Sequence, residues 1–335
     1  MTQPLSDDDL RAMMTHMIGA RVSSQRAFNL QRQGRAGTNA PIDGSEAIVV
    51  GAARALDPTA DWVLPQYREP VALQRFGPEV LESYVRYILG DPDGGHIPEP
   101  VRVWPPQISL ATQVPHAVGM AWGMKRTGET GCALVFLGDG STSEGDFYEA
   151  ANFAGVLRAP VIFVVVNNGW AISTPVASQT AAKNFAAKSH AFGFPGTTVD
   201  GTDILAVYEV VSEARERAVS GAGPTLIEAV TYRLAPHTTA DDPTRYMPDD
   251  ELVAARGRDP LTRFQKELSG RGLWSDDDTT RAEADADAVM EAAIQAAEAD
   301  RANPIELFDH VHAIRTTRLE RQRREWIDHY GEDPR

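Results

Sequence analysis

The chain has one cysteine, Cys132, among 335 residues, so no internal disulfide can staple it. That cysteine falls in the apolar run 132–137, where a thiol reads as buried and structural. Basic residues are scarce, 32 Lys and Arg against 47 Asp and Glu, and the formal charge is −15. Phosphate-backbone contacts need clustered cations, so a general affinity for nucleic acid is excluded. The one basic cluster, residues 315–324, is interleaved with Glu320 and followed by Glu325, and reads as an exposed helix face or a subunit contact. Long apolar runs are missing as well: the longest, residues 159–166, is far too short to span a bilayer, so no membrane association is expected. Residues 1–9 show no basic region followed by an apolar stretch, and a cytoplasmic location is expected. What remains is globular in character, with 42% hydrophobic and 24% charged residues. The length suits one large α/β domain with helical additions, or two modest domains.

Patterning divides the chain. Leu10, Met13, Met14, Met17, Ile18 and Val22 recur at helical spacing, which predicts an amphipathic N-terminal helix. A Gly-rich stretch, 34–44, leads to a small-residue helix over 46–56 that Asp57-Pro58 terminates. Residues 62–65 read as a short strand, and 90–106, dense in Gly and Pro, as an irregular loop. Regular alternation follows: helix 112–126, buried strand 132–137, helix 142–157, buried strand 161–166, a short strand ending at 199–201, helix 204–219 and strand 225–232. Strands apolar on both faces and separated by helices imply an α/β fold, a mostly parallel sheet covered by helices on both faces. After Pro248 the chain turns helical and charged, with a start signal at Trp274-Ser275-Asp276 and an acidic helix to about Ala302. The expected boundaries are a helical extension at 1–60, an α/β core at 61–247 and a helical C-terminal region at 248–335.

The chemistry centres on Gly138-Asp139-Gly140-Ser141, which follows one buried strand and opens a helix. Ligand sites in open α/β sheets lie at the carboxyl ends of strands. The glycines permit close backbone approach, and Ser141 with Glu144 has capping-box spacing, so the helix start is expected to present N–H groups to an anion such as phosphate. Alone, Gly-Asp-Gly also serves as an ordinary tight turn. The second piece, Asn167-Asn168-Gly169-Trp170, ends the next buried strand. Adjacent parallel strands would set Asp139 beside Asn168, and a carboxylate, an amide oxygen and a main-chain carbonyl are hard donors that suit octahedral Mg²⁺ with water and diphosphate oxygens.

Gly-Asp-Gly, 26 residues, then Asn-Asn resembles the thiamine pyrophosphate signature. The flanking motifs Leu64-Pro65-Gln66-Tyr67-Arg68-Glu69, Leu110-Ala111-Thr112-Gln113-Val114-Pro115, Trp170-Ala171-Ile172-Ser173-Thr174-Pro175 and Tyr232-Arg233-Leu234-Ala235-Pro236-His237-Thr238 resemble, in order, the alpha subunit of the heterotetrameric 2-oxo acid dehydrogenases. The resemblance implies a thiamine pyrophosphate-binding fold and a set of roles. Asp139, Asn168 and the Trp170 carbonyl would ligate Mg²⁺. Tyr67 and Arg68 would hold the diphosphate, with Gly138, Gly140 and Ser141 around the helix start. Leu110 would be the apolar wedge that keeps the cofactor bent. His237 would assist acyl transfer to lipoamide. Thr112 and Gln113 match positions that bind K⁺ in some members. Arg233, Asp241 and Tyr246 look like internal ties of the polar loop 238–246, which cofactor binding orders in the family. Against these stand blander readings: Arg68 pairs with Glu69, and His237 is one of eight ordinary histidines. The chain also departs from the family. Val166 replaces a polar cofactor contact of several members, and Thr238 stands where animal enzymes carry a phosphorylated serine, which argues against regulation by a dedicated kinase.

No second domain with the glutamate that ionises the thiazolium is visible. The resemblance therefore implies a separate beta chain and an assembly of two alpha and two beta chains. It further implies a lipoyl domain and a peripheral-subunit-binding region of a dihydrolipoyl acyltransferase as partners, and a small 2-oxo acid as substrate. The motifs around Tyr67, Leu110 and Asn168 favour branched-chain members, hence 3-methyl-2-oxobutanoate, whereas residues 241–246 suit pyruvate enzymes equally. Pyruvate and acetoin dehydrogenases are the alternatives, and a non-catalytic α/β binding module is the alternative of another class.

Overall fold

The computed structural model describes residues 4–300 and 303–332. Residues 1–3 of the leader reading, Ala302 at the expected end of the acidic helix, and residues 333–335 lie outside the described residues. The strands are β1 (Trp62–Leu64), β2 (Ala133–Gly138), β3 (Val161–Asn167), β4 (Trp170–Ala171), β5 (Thr174–Pro175), β6 (Gly196–Asp200) and β7 (Thr225–Val230). Five form one parallel sheet in the order β1-β2-β3-β7-β6, while β4 and β5 make a small antiparallel hairpin.

Burial explains the sheet. β3 is buried at every position, and β2 at all but Gly138. Because side chains alternate across a strand, Leu134, Phe136, Ile162, Val164 and Ile227 enter the core on one face, and Ala133, Val135, Leu137, Val161, Phe163 and Val165 enter the core on the other. Each fully buried aliphatic side chain contributes about 1.5–3 kcal/mol relative to an exposed one, so a central strand of this kind must be covered twice.

The first face is covered by α1 (Asp7–Arg32), α2 (Glu46–Ala55), α3 (Glu79–Ile88) and α6 (Ile204–Val219), joined by α8 (Pro260–Gly270) and α9 (Asp276–Ala299). The second face is covered by α4 (Gln113–Thr127) and α5 (Gly145–Leu157). Two further helices, α7 (Asp249–Arg256) and α10 (Thr317–Tyr330), are mostly exposed, and Leu319 is the one buried residue of α10. Arg318, Arg321, Arg323 and Arg324 of the basic cluster thus lie on a mostly exposed helix, and Arg315 precedes it. Ser6 caps α1 through a reciprocal box with Asp9, and Ser275 does the same for α9 with Asp278; such a cap stabilises by about 1 kcal/mol. Arg21 of α1 ties three elements, meeting the fully buried Glu46 of α2 and, at 3.1 Å, Asp259 ahead of α8. Among the described residues no helix is long and apolar enough to cross a membrane.

Two expectations are corrected. The helix expected from 142 is preceded by a 3-10 turn, Gly140–Ser143, and α5 starts only at Gly145. Ser141 and Glu144 form no capping box there: Glu144 is itself the N-cap of α5, and the Ser141 hydroxyl accepts instead from Gln66 Nε2 at 2.9 Å. Helix α3 is an element the pattern reading left out, although Val80, Leu81, Tyr84, Val85 and Ile88 carry the spacing of a buried helical stripe.

Candidate active site

The carboxyl ends of β1, β2 and β3 open on a cavity of about 820 Å³. Tyr67, Arg68, Leu110, Gly138, Asp139, Gly140, Ser141, Asn168, Trp170 and His237 all line it, so every residue expected in the site converges there. Thr112 and Gln113, the expected K⁺ positions, do not. The register explains the convergence: Gly138 of β2 pairs with Val166 of β3, so Asp139 and Asn168 leave adjacent strand ends together.

Two of the ten are glycines, and at Gly140 the reason is steric. A Cβ there would meet Ala171 Cβ at 2.7 Å, so only glycine lets the 3-10 turn lie against β4. Gln66 fastens the turn from the other side, its Oε1 accepting from Gly138 N at 2.8 Å while its Nε2 donates to Ser141. Gln66 was legible only as part of a motif, with no role attached.

The oxygen donors are in place. Asp139 is 2% exposed, and its burial pushes the carboxyl above the ordinary range, against a 2.8 Å hydrogen bond from Gln179 Nε2 that pulls it down. Asn168 Oδ1 accepts from Trp170 N at 3.2 Å, and the Trp170 carbonyl accepts from Arg233 Nη1 at 3.2 Å. Each of these neutral oxygens keeps a second lone pair. A buried carboxylate with little compensation, an amide oxygen and a carbonyl at one strand-end junction fit a hard divalent cation whose other positions come from water and phosphate.

One guanidinium, Arg68, lines the same space, and a second, Arg233, is bonded to its wall. Arg68 is 7% exposed and donates to Pro41 O at 2.6 Å, to His237 O at 2.9 Å and to His237 Nδ1 at 3.0 Å. The rival pairing with Glu69 does not occur: Glu69 Oε2 accepts from Gln66 N at 2.9 Å and stays buried. Arg233, 1% exposed, donates to Trp170 O, to Ile172 O at 2.8 Å and to the Tyr246 hydroxyl at 2.6 Å. Neither guanidinium forms a salt bridge with any described carboxylate. A buried charge bonded only to neutral acceptors is costly, so Arg68, which lines the cavity, is available to an anion there, while Arg233 meets the cavity wall through the Trp170 and Ile172 carbonyls.

Arg68 also decides the state of His237. A guanidinium only donates, so Nδ1 must accept and the ring proton sits on Nε2. Burial first, then Arg68 and Arg233, push the imidazole down to about 4 against the opposing pull of Asp241. His237 is therefore a neutral Nε2–H donor at physiological pH. Its own N–H donates to Asp241 Oδ2 at 2.8 Å, which also accepts from the Tyr246 hydroxyl at 2.5 Å. The chain Arg233–Tyr246–Asp241–His237 ties the polar loop as the resemblance implies. Apolar walls complete the cavity: Ile108, Leu110 and Ile172 are 55%, 41% and 55% exposed, and Ala111 and Ile172 hold left-handed backbones with φ of 62° and 56°.

Residues 14–306 match the family model described as Dehydrogenase E1 component. The chain belongs to that family. It is similar to the pyruvate dehydrogenase E1 component subunit alpha of Staphylococcus aureus strain Mu50, 44% identical over 295 residues, which cover 88% of this chain and 79% of the relative. The protein of the same description from Staphylococcus epidermidis strain ATCC 12228 is 43% identical over the same shares. As an E1 alpha subunit, the chain is part of a decarboxylating 2-oxo acid dehydrogenase, an oxidoreductase. The reading as a non-catalytic module is thereby set aside. E1 components work with thiamine pyrophosphate, and E1 alpha subunits pair with beta subunits.

Proposed function

We propose that this E1 alpha subunit holds the diphosphate of thiamine pyrophosphate through Mg²⁺ and decarboxylates pyruvate in an assembly of two alpha and two beta chains. The observation that carries the reading is the meeting of Asp139, Asn168 and Trp170 with Arg68, a buried guanidinium without a carboxylate partner, in the lining of one cavity. Pyruvate replaces the branched-chain preference of the motifs because the similar relatives are pyruvate dehydrogenase subunits. Local motifs around the diphosphate report cofactor binding more than substrate choice, so the branched-chain preference of those motifs carries less weight than the relatives.

When bound, thiamine pyrophosphate supplies the carbanion and the electron sink for decarboxylation. This chain's residues bind and orient. Asp139, Asn168 and the Trp170 carbonyl would hold Mg²⁺, and Gly138 at the end of β2 with Gly140 and Ser141 of the 3-10 turn would contribute around the diphosphate. Tyr67 and Arg68 contribute at the diphosphate, where a planar, multiply bonded guanidinium suits phosphate oxygens. Leu110 supports the cofactor from the apolar wall. His237 holds one proton on Nε2 and can lend it as a hydrogen bond, first to cofactor oxygen and then during transfer of the acyl group to a lipoyl domain. For K⁺, Gln113 offers one supporting feature: its Nε2 donates to Phe136 O at 2.8 Å while its buried Oε1 has no partner.

Co-expression with a beta chain and assay with a lipoyl acceptor tests the substrate. Pyruvate turnover well above that of 3-methyl-2-oxobutanoate supports the proposal, the reverse order refutes it, and lipoamide-independent turnover points to an acetoin-type enzyme. His237→Ala should spare cofactor binding and impair lipoyl acylation more than decarboxylation read with an artificial oxidant; equal losses would remove the transfer role.

A further inference from the structure

Among the described residues Gln179 is the one side chain bonded to the Asp139 carboxylate, and no sequence motif points to it. It follows the 3-10 turn Val176–Ser178, with its N–H on Val176 O at 2.9 Å, and its Nε2 reaches both Asp139 Oδ2 at 2.8 Å and Thr174 O at 3.0 Å. This arrangement leaves Gln179 Oε1 buried with no hydrogen-bond partner. A stranded buried acceptor is unfavourable, so the amide stays because the carboxylate, sealed from water, needs a donor more.

The surrounding segment is held at its two ends and by the short β4–β5 pairing. Its start is fixed by Arg233 Nη2 on Ile172 O at 2.8 Å. Its far end is fixed by Lys188, whose Nζ donates to Thr142 O and Oγ1 at 2.9 Å each, and Thr142 Oγ1 donates in turn to Asp139 O at 2.8 Å. Between these anchors Ser173, Thr174, Pro175, Ala177 and Ser178 are exposed, and Ile172 holds φ 56°, a costly value for a β-branched residue. Few buried contacts hold this stretch, the mark of a segment that opens locally.

We propose that Gln179 is a positioning residue that stands in for the metal, donating to Asp139 in the metal-free chain and leaving it when a divalent cation binds, so that residues 172–179 respond to occupancy of the site. The inference rests on the reading of Asp139 as a metal ligand. A cation satisfies the carboxylate better than an amide does, and the displaced amide can hydrate its stranded oxygen. Removing Gln179 then strips a bond from the metal-free state alone and strengthens metal binding, whereas a residue that merely supported the ligand would weaken it on removal.

The test uses the chain assembled with its beta subunit, at saturating thiamine pyrophosphate, with free Mn²⁺ read by electron paramagnetic resonance. Gln179→Ala and the space-filling Gln179→Met should each bind Mn²⁺ about fivefold more tightly, the equivalent of about 1 kcal/mol for one net hydrogen bond. Amide hydrogen exchange over 172–179 should rise on adding Mn²⁺ to the wild type and be high without metal in both variants. Unchanged or weaker Mn²⁺ affinity in the two variants overturns the proposal. Asp139→Asn separates the two readings: if it binds Mn²⁺ like the wild type, the ligand assignment itself fails, whereas its loss of Mn²⁺ alongside unchanged Gln179 variants refutes the stand-in role alone.

Discussion

Gly140→Ala tests the geometry of the site with a single methyl group. The added Cβ would lie 2.7 Å from Ala171 Cβ, which is 0.7 Å short of the 3.4 Å at which ordinary contact begins. Neither neighbour yields easily. Gly140 follows Asp139 in a turn pinned by Gln66 at Gly138 and Ser141, and Ala171 lies in β4 directly after Trp170. Relief therefore separates the Asp139 carboxylate from the Trp170 carbonyl, two of the proposed metal ligands. Overpacking of this kind costs about 1–3 kcal/mol, which in a chain of this size lowers Tm by only a few degrees, roughly 2–4 °C per kcal/mol. Cofactor affinity should suffer more, because strain of about 1–3 kcal/mol that falls on the ligand geometry converts to roughly 5- to 150-fold in binding. A loss of about 10- to 100-fold in Mg²⁺-dependent thiamine pyrophosphate affinity, measured by calorimetry on the assembled subunits, is expected. Ala171→Gly removes the atom that is struck, so the double variant should recover most of the affinity while Ala171→Gly alone changes it little. Undiminished affinity in Gly140→Ala, or a double variant no better than the single one, would refute the argument from Gly140.

His237 should give no inflection near neutrality: selectively labelled histidine NMR should show a neutral ring protonated on Nε2 down to about pH 5, since its folded value is pushed down to about 4. Because that value lies below the unfolded one of about 6.5, the unfolded chain takes the proton first, so this group removes stability as pH falls from about 6.5 to 4 and contributes none above that window. Arg68→Met should raise the His237 pKa but leave it below the ordinary range, because burial is the larger cause and Arg233 remains. Asp139→Asn should abolish metal-dependent cofactor retention yet raise the Tm of the metal-free chain at pH 7, because burial disfavours the charged carboxyl there; a lower Tm would contradict that. Tyr246→Phe breaks the bonds to Arg233 and Asp241, and limited proteolysis within 237–246 should quicken severalfold with little change in Tm.

The sheet was legible because β2 and β3 are apolar on both faces, a pattern that only a doubly covered parallel strand explains. The turn at Asp139 was legible as a site only in combination, because Gly-Asp-Gly after one buried strand is matched by Asn167-Asn168 after the next. Ser141 shows where local pattern fails: its spacing to Glu144 suits a cap, yet Gln66, 75 residues earlier, takes the hydroxyl. The same limit hides Gln179. It carries no periodicity and lies in an irregular segment, and its meaning comes from a contact 40 residues away. Arg68 was legible as an anion binder, but its bonds to Pro41 O and His237 depend on loops whose meeting no spacing announces.

Those bonds carry a consequence beyond charge. Arg68 joins three separate stretches at once: the Gly-rich segment through Pro41, its own strand end after β1, and the loop beginning at His237. A lysine could supply the charge but not a planar fork that reaches a carbonyl on one side and both a carbonyl and a ring nitrogen on the other. The residue proposed to hold the diphosphate is thus also the one that sets the tautomer of His237 and anchors its loop. Any anion that draws the guanidinium toward itself must loosen or share these bonds, so cofactor binding and the loop that carries His237 are coupled through a single side chain, with no wider rearrangement required.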